Sequence, residues 1–256
     1  MKHSLTFLSR GCVTLVGAGP GDPELLTLKA ARAIANATVI LVDDLVHPDV
    51  LLHAQPSARV VPVGKRGGCA STAQTFIEHT MIEQAQQGEI VVRLKGGDPL
   101  VFGRAGEELA ALEAAGVRCS VINGITSGMA AAGSLGVSLT HREHAHGVVM
   151  VTGHAAAHGI GTDWVRLGEM VSQLQLTLVI YMGSSQARSI QEGLLAHCAP
   201  STHVALIESA STAHERRRRT SLDQLAHTIE QEKLGSPLII LVGSIAACKE
   251  AACRQF

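Results

Sequence analysis

Three glycine-bearing turns close apolar runs in the first half of this chain, and charged residues stand beside them. Gly17-Ala18-Gly19-Pro20-Gly21-Asp22 follows Cys12–Val16, Leu94-Lys95-Gly96-Gly97-Asp98-Pro99 follows Ile90–Leu94, and Asn123-Gly124-Ile125-Thr126-Ser127 follows Arg118–Ile122. Glycines at strand ends let backbone come close to a ligand, and an Asp there accepts hydrogen bonds from a ribose or an amine. The first turn sits where a dinucleotide loop would sit, with Asp43 at the end of the next apolar run, the usual place of a ribose-binding acid. Its chemistry opposes phosphate. The third glycine of G-x-G-x-x-G is replaced by Asp22, and Pro20 has no N–H to offer an anion. A capped tight turn, a dinucleotide site and a site for another ligand all stay open from this loop alone.

The elements that hold these turns follow from the hydrophobic pattern. Apolar runs alternate with amphipathic stretches almost from end to end. Extended segments are predicted at Cys12–Val16, Thr38–Val42, Arg59–Val63, Ile90–Leu94 and Arg118–Ile122. Pro62 marks the third of them as a sheet edge. Asp22-Pro23-Glu24 reads as a helix start, with Asp as cap and Pro in the first turn. Further helices are predicted over Thr72–Gln87, Gly106–Ala115 and Ser127–Leu135. A second series has strands at Gly147–Thr152, Leu176–Met182, His203–Glu208 and Pro237–Val242, and helices at Ser185–His197 and Leu222–Lys233. Arg216–Arg219 is a further possible strand, read as a solvated edge or interface face.

The fold class is therefore α/β with two sheet-containing domains: a leader over 1–11, an N-terminal domain over 12–140, a His-rich linker over 141–146 and a C-terminal domain over 147–256. A ligand is expected in the cleft between them.

Composition narrows the function. Hydrophobic residues make up 46% but aromatics only 2%, so small aliphatic side chains must fill the cores. A formal net charge of −1 gives no global field toward nucleic acid or lipid, so an anionic ligand has to be caught by local Arg and Lys. The six cysteines, Cys12, Cys69, Cys119, Cys198, Cys248 and Cys253, form no C-x-x-C pair. They read as reduced thiols of a cytoplasmic protein and make no zinc cluster, so no metal is expected. The start of the chain is too short for a signal-peptide core or a membrane span.

The motifs taken together carry a resemblance. Val16-Gly17-Ala18-Gly19-Pro20-Gly21-Asp22-Pro23, Gly64-Lys65-Arg66, Arg93-Leu94-Lys95-Gly96-Gly97-Asp98-Pro99, Gly124-Ile125-Thr126-Ser127, Thr140-His141-Arg142 and Thr152-Gly153-His154 occur in the order and approximate spacing of the tetrapyrrole methylases. The similarity runs from about Cys12 to Val242. It implies a two-domain α/β enzyme, usually a homodimer, with S-adenosylmethionine in the cleft and S-adenosylhomocysteine as by-product. It further implies methylation of uroporphyrinogen III at carbons 2 and 7 to precorrin-2, with a later precorrin as the alternative substrate and an NAD-dependent dehydrogenase as the remote one.

Carried over by motif, the resemblance implies a cofactor shell of Pro20, Gly96, Gly97, Asp98, Val101, Thr126, Ser127, Met182 and Ala210. It implies a catalytic set of Asp43 as proton acceptor, Lys65 as proton donor and Arg104, the residue whose loss is expected to abolish activity. Arg104 and Arg142 would hold substrate carboxylates, with Glu107 orienting Arg104 and His154 bonding the macrocycle. The chain departs from the family pattern at Asp44, Ala105, Asn123 and Ala210, which bears on fine contacts.

Overall fold

A computed structural model of the chain describes residues 11–64, 74–154 and 161–244. The chain divides into two compact units, residues 1–126 and 127–256.

The first unit is a five-stranded parallel sheet in the order β3-β2-β4-β1-β5. Its elements are β1 (Cys12–Gly17), α1 (Leu28–Asn36), β2 (Val39–Val42), β3 (Arg59–Pro62), α2 (Gln74–Gln86), β4 (Ile90–Lys95), α3 (Ala105–Ala114) and β5 (Arg118–Ile122). Side chains alternate across a strand, so each strand feeds two cores. Val13, Leu15, Val39, Leu41 and Val91 face Ile77 and Met81 of α2 and Ala105 and Leu112 of α3. Val16, Ile40, Val92 and Leu94 face Ala30 and Ile34 of α1 on the other side. Each fully buried Leu or Ile contributes about 1.5–3 kcal/mol of burial free energy. β3, with Pro62, is an edge strand.

The helix start at Asp22 needs correction. Asp22 does cap, accepting from Glu24 N–H at 2.8 Å, but only a single 3-10 turn over Pro23–Leu25 follows. α1 begins after Thr27, whose hydroxyl accepts from Ala30 N–H at 3.2 Å. A second cap five residues downstream restarts the chain, and periodicity alone does not show the break.

The second unit is a mixed sheet in the order β6-β7-β10-β8-β9, parallel only between β6 and β7. It comprises α4 (Ser127–Ser134), β6 (Gly147–Thr152), α5 (Trp164–Leu174), β7 (Leu176–Tyr181), α6 (Ala187–Leu195), β8 (His203–Glu208), β9 (Arg216–Ser221), α7 (Leu225–Gln231) and β10 (Leu238–Val242). The division falls at Thr126 rather than in the predicted linker 141–146. The reason is α4. It packs on β7, where the Gly128 N–H donates to the Tyr181 hydroxyl at 3.1 Å and the missing Cβ makes room for that ring. Residues 141–146 form a tight turn of this unit, closed by paired backbone hydrogen bonds between His141 and Ala145. α5 is not among the elements predicted from the hydrophobic pattern. Among the described residues no helix is long and apolar enough to cross a membrane.

Candidate functional site

The C-terminal ends of β4, β1 and β5 are neighbours in the first sheet, and their three glycine turns are fastened to one another. Gly19 and Gly97 exchange backbone hydrogen bonds, at 3.3 and 2.7 Å. A Cβ on Gly17 would lie 2.5 Å from Gly124 N and 2.6 Å from Gly97 O, and one on Gly124 would lie 2.2 Å from Gly97 O. These glycines serve loop-to-loop contact, so the space a dinucleotide pyrophosphate would need beside Gly17 is filled by backbone. Asp98, 7% exposed, ties the third loop in. Its Oδ1 accepts from Leu100 N–H at 2.8 Å, and its Oδ2 accepts from Asn123 Nδ2 at 3.0 Å and Gly124 N–H at 3.1 Å. Asn123 thus acts as a donor to Asp98.

This rim gathers Pro20, Gly96, Gly97, Asp98, Val101 and Thr126 in the first unit. Ser127, Met182 and Ala210 belong to the second unit, at the start of α4 and just after β7 and β8. Met182 is 47% exposed with a left-handed backbone, φ 53°, so it is not a core methionine. Ala210 is buried between Ser209 and Ser211, both at positive φ. Non-glycine residues held in left-handed backbone cost about 1–3 kcal/mol each and cluster at ligand sites.

Arg104 has the same feature. It caps α3 at φ 56° with no side-chain capping bond. Its Nε and Nη2 donate to the two oxygens of Glu107 at 2.8 and 2.6 Å, a fork on the protein surface. That hydrogen bonding raises the Arg104 pKa and lowers that of Glu107. An exposed pair of this kind is worth little in isolation, so a ligand carboxylate can share or replace Glu107. Arg142 is exposed within the His141–Ala145 turn, and His154 is exposed after β6, its N–H donating to Thr152 Oγ1 at 3.1 Å. Lys65 lies outside the described residues. Gly64 immediately before it packs on Asp44, and a Cβ added at Gly64 would fall 2.2 Å from Asp44 Oδ1, so the strand leading to Lys65 passes beside the Asp43 turn.

Sequence reasoning missed the partners of Asp43. Its Oδ1 accepts from Arg93 Nη2 at 2.7 Å. Arg93 Nε donates to Glu108 Oε1 at 3.2 Å, and Lys95 Nζ donates to the same oxygen at 3.0 Å. Arg93, Lys95 and Glu108 are all buried. A signal is there in the sequence: Arg93 and Lys95 interrupt an apolar strand two residues apart, hence on one face.

One further cluster lies in the second unit. His141, Glu143 and His144 each bring a ligand atom within 4.8 Å of the others. The two imidazoles stack, centroids 3.8 Å apart and planes 20° apart, so their in-plane lone pairs run side by side instead of converging on one ion.

The chain is similar to known proteins over most of its length. The family model of tetrapyrrole (corrin/porphyrin) methylases matches residues 12–226. The uroporphyrinogen-III C-methyltransferase of Pseudomonas aeruginosa is 48% identical over 236 residues, covering 92% of this chain and 94% of that protein. Siroheme synthase 2 of Aeromonas hydrophila is 44% identical over 241 residues, and this chain spans about half of its length, 50%. A crystal structure of the uroporphyrin-III C-methyl transferase of Thermus thermophilus with S-adenosyl homocysteine superposes with a TM-score of 0.78 at 38% identity, covering 93% of this chain and 99% of that one. By the match across most of its length, the chain belongs to the tetrapyrrole methylases.

Proposed function

We propose that this chain transfers methyl groups from S-adenosylmethionine to carbons 2 and 7 of uroporphyrinogen III, giving precorrin-2 by way of precorrin-1. The observation that supports this most strongly is its similarity to the Pseudomonas aeruginosa enzyme over nearly the full length of both chains. The product would serve sirohaem, cobalamin or haem d1 synthesis, in a cytoplasmic homodimer.

The residues fit the methyl donor. A carboxylate offers about four lone-pair sites, and among the described residues three donors reach Asp98, which leaves one site at Oδ1 for a ribose hydroxyl or an amine. The exposed thioether of Met182 suits an adenosyl or methylthio surface. The donor supplies an electrophilic methyl group, and the protein's main task is to set a ring carbon in line with it. Each methyl added is balanced by the net loss of one proton, which Asp43, 28% exposed, accepts, and Lys65 protonates one ring position only as a further proton leaves another while the double bonds shift. The substrate is a polyanion in a protein of net charge −1, so local cations must hold it. Arg104 and Arg142 take carboxylates, Glu107 keeps the Arg104 fork presented until substrate arrives, and His154 bonds the macrocycle.

Anaerobic incubation with uroporphyrinogen III and S-adenosylmethionine is the test. A dimethylated ring and S-adenosylhomocysteine are expected. Methylation of a later precorrin alone, or no turnover beside an active control, rejects the assignment. Arg104→Ala is expected to lower kcat/KM by about 100-fold or more through lost positioning.

A further inference from the structure

The face of the first sheet that packs on α2 and α3 is apolar until it reaches the C-terminal ends of its strands. There Val39 and Leu41 are followed, on the same face, by Asp43, and Val91 by Arg93 and Lys95. Glu108, in the first turn of α3, covers this charged row. Two carboxylates and two cations therefore share one small volume, with side-chain exposures of 2% for Arg93, 0% for Glu108 and 5% for Lys95. Apolar residues of similar size would stabilise such a place as well or better, because each buried ion loses its hydration. The cluster calls for a reason other than stability.

Its geometry supplies one. Arg93 directs its donors three ways: Nε to Glu108, Nη1 to the Leu94 carbonyl at 3.2 Å and Nη2 to Asp43. Three anchors fix the plane of the guanidinium, and the planar fork transmits that orientation to the carboxylate it meets. Glu108 in turn accepts at Oε1 from Arg93 at 3.2 Å, Lys95 at 3.0 Å and, at a longer 3.4 Å, Gln74 Nε2, while its Oε2 has no hydrogen-bond partner among the described residues, so its two short contacts are both to the cations. Burial, and next the charge of Arg93, lower the pKa of Lys95, which marks these groups as close electrical neighbours. At the outer end, Asp43 is the one member with appreciable exposure, 28%, and only its Oδ1 is engaged among the described residues.

We propose that Arg93, clamped by Glu108 from the helix side, is a positioning residue that fixes the Asp43 carboxylate with Oδ2 free to take the substrate proton. This rests on the reading of Asp43 as proton acceptor. Arg93 never touches substrate; it acts through Asp43.

A double-mutant cycle tests it. Asp43→Asn is expected to lower kcat for uroporphyrinogen III methylation by about 100- to 10,000-fold. Arg93→Lys keeps the charge and loses the fork, and it should lower kcat by about 100-fold. KM and calorimetric S-adenosylhomocysteine affinity should stay within about threefold of the parent. In the Asp43→Asn background, Arg93→Lys should cost less than about threefold more, because the group it served is gone. Glu108→Gln, tested in the same cycle, should behave as Arg93→Lys does, and it carries the test if the arginine variant does not fold. Full additivity, or loss of S-adenosylhomocysteine binding in step with kcat, overturns the positioning role. A fully active Asp43→Asn overturns the role of Asp43 itself, and the positioning role with it.

Discussion

Each unit holds an arginine–glutamate network, and the two are set in opposite surroundings. In the first, Arg93 and Lys95 lie on β4, the central strand, buried against Glu108. In the second, Arg216–Arg219 lie on β9, the edge strand. There Arg216 pairs with Glu208 and donates to the carbonyls of Glu232 and Lys233 at 3.1 and 3.0 Å, Arg217 pairs with Glu215, and Arg218 with Glu232 at 2.8 Å. Arg216, Arg217 and Arg218 keep a third or more of their side chains in water. Charge on an edge strand guards it against pairing with another chain, with little effect on stability either way. Charge on a central strand has to be neutralised in place and returns no stability for it. The same residue types are thus a surface device in one unit and a fixed internal support in the other.

The largest expected contrast comes from removing one glutamate of each network. Glu108→Ala leaves Arg93 and Lys95 buried without their carboxylate and should cost about 3–5 kcal/mol in urea unfolding. Glu232→Ala should cost no more than about 1 kcal/mol. Similar losses at the two sites would erase the distinction.

A pH series sharpens it from the alkaline side. Lys95 has its folded-state pKa below the ordinary 10.5, chiefly through burial. Between that lowered value and 10.5 the unfolded chain holds a proton the folded protein has released, so this group makes stability rise with pH. In Lys95→Met that part of the rise should vanish. An unchanged slope of unfolding free energy against pH would mean the ammonium is not desolvated.

The smallest effect is expected on the acid side of the edge network. The hydrogen bond from Arg216, then that from the Gly235 N–H, hold Glu208 below its usual 4.5. The stability this supplies is present above about pH 4.5 and is lost as pH falls through the lowered folded value. Arg216→Gln should shrink that acid loss, and moderate salt should shrink it in the parent protein too. A salt-insensitive acid limb would place Glu208 among the buried pairs instead.

Much of the fold is legible in the residues. Among the described residues the β-branched and leucine-rich runs mark nine of the ten strands, and Pro62 marks its edge. Four arginines in a row leave β9 as a bare possibility, because its strand character comes from pairing with β8 and not from its own apolarity. α4 is visible as a helix but not as part of the second unit. Gly128 and Ala130–Ala132 give it no polar face to show which side is buried, and only its seat against Tyr181 decides that.

The candidate site divides in the same way. Residue identity alone determined the three glycine turns and the family to which they point, and it nominated Asp43 and Arg104 as candidates, since glycine, acid and arginine at fixed spacings are chemical facts about a chain. Tertiary structure decided that Gly17, Gly97 and Gly124 touch one another and that Arg93 reaches Asp43 across 50 positions of sequence while Glu108 arrives from a helix. Parallel strands place distant segments side by side, and which side chains then meet depends on strand order and register, which no local pattern encodes.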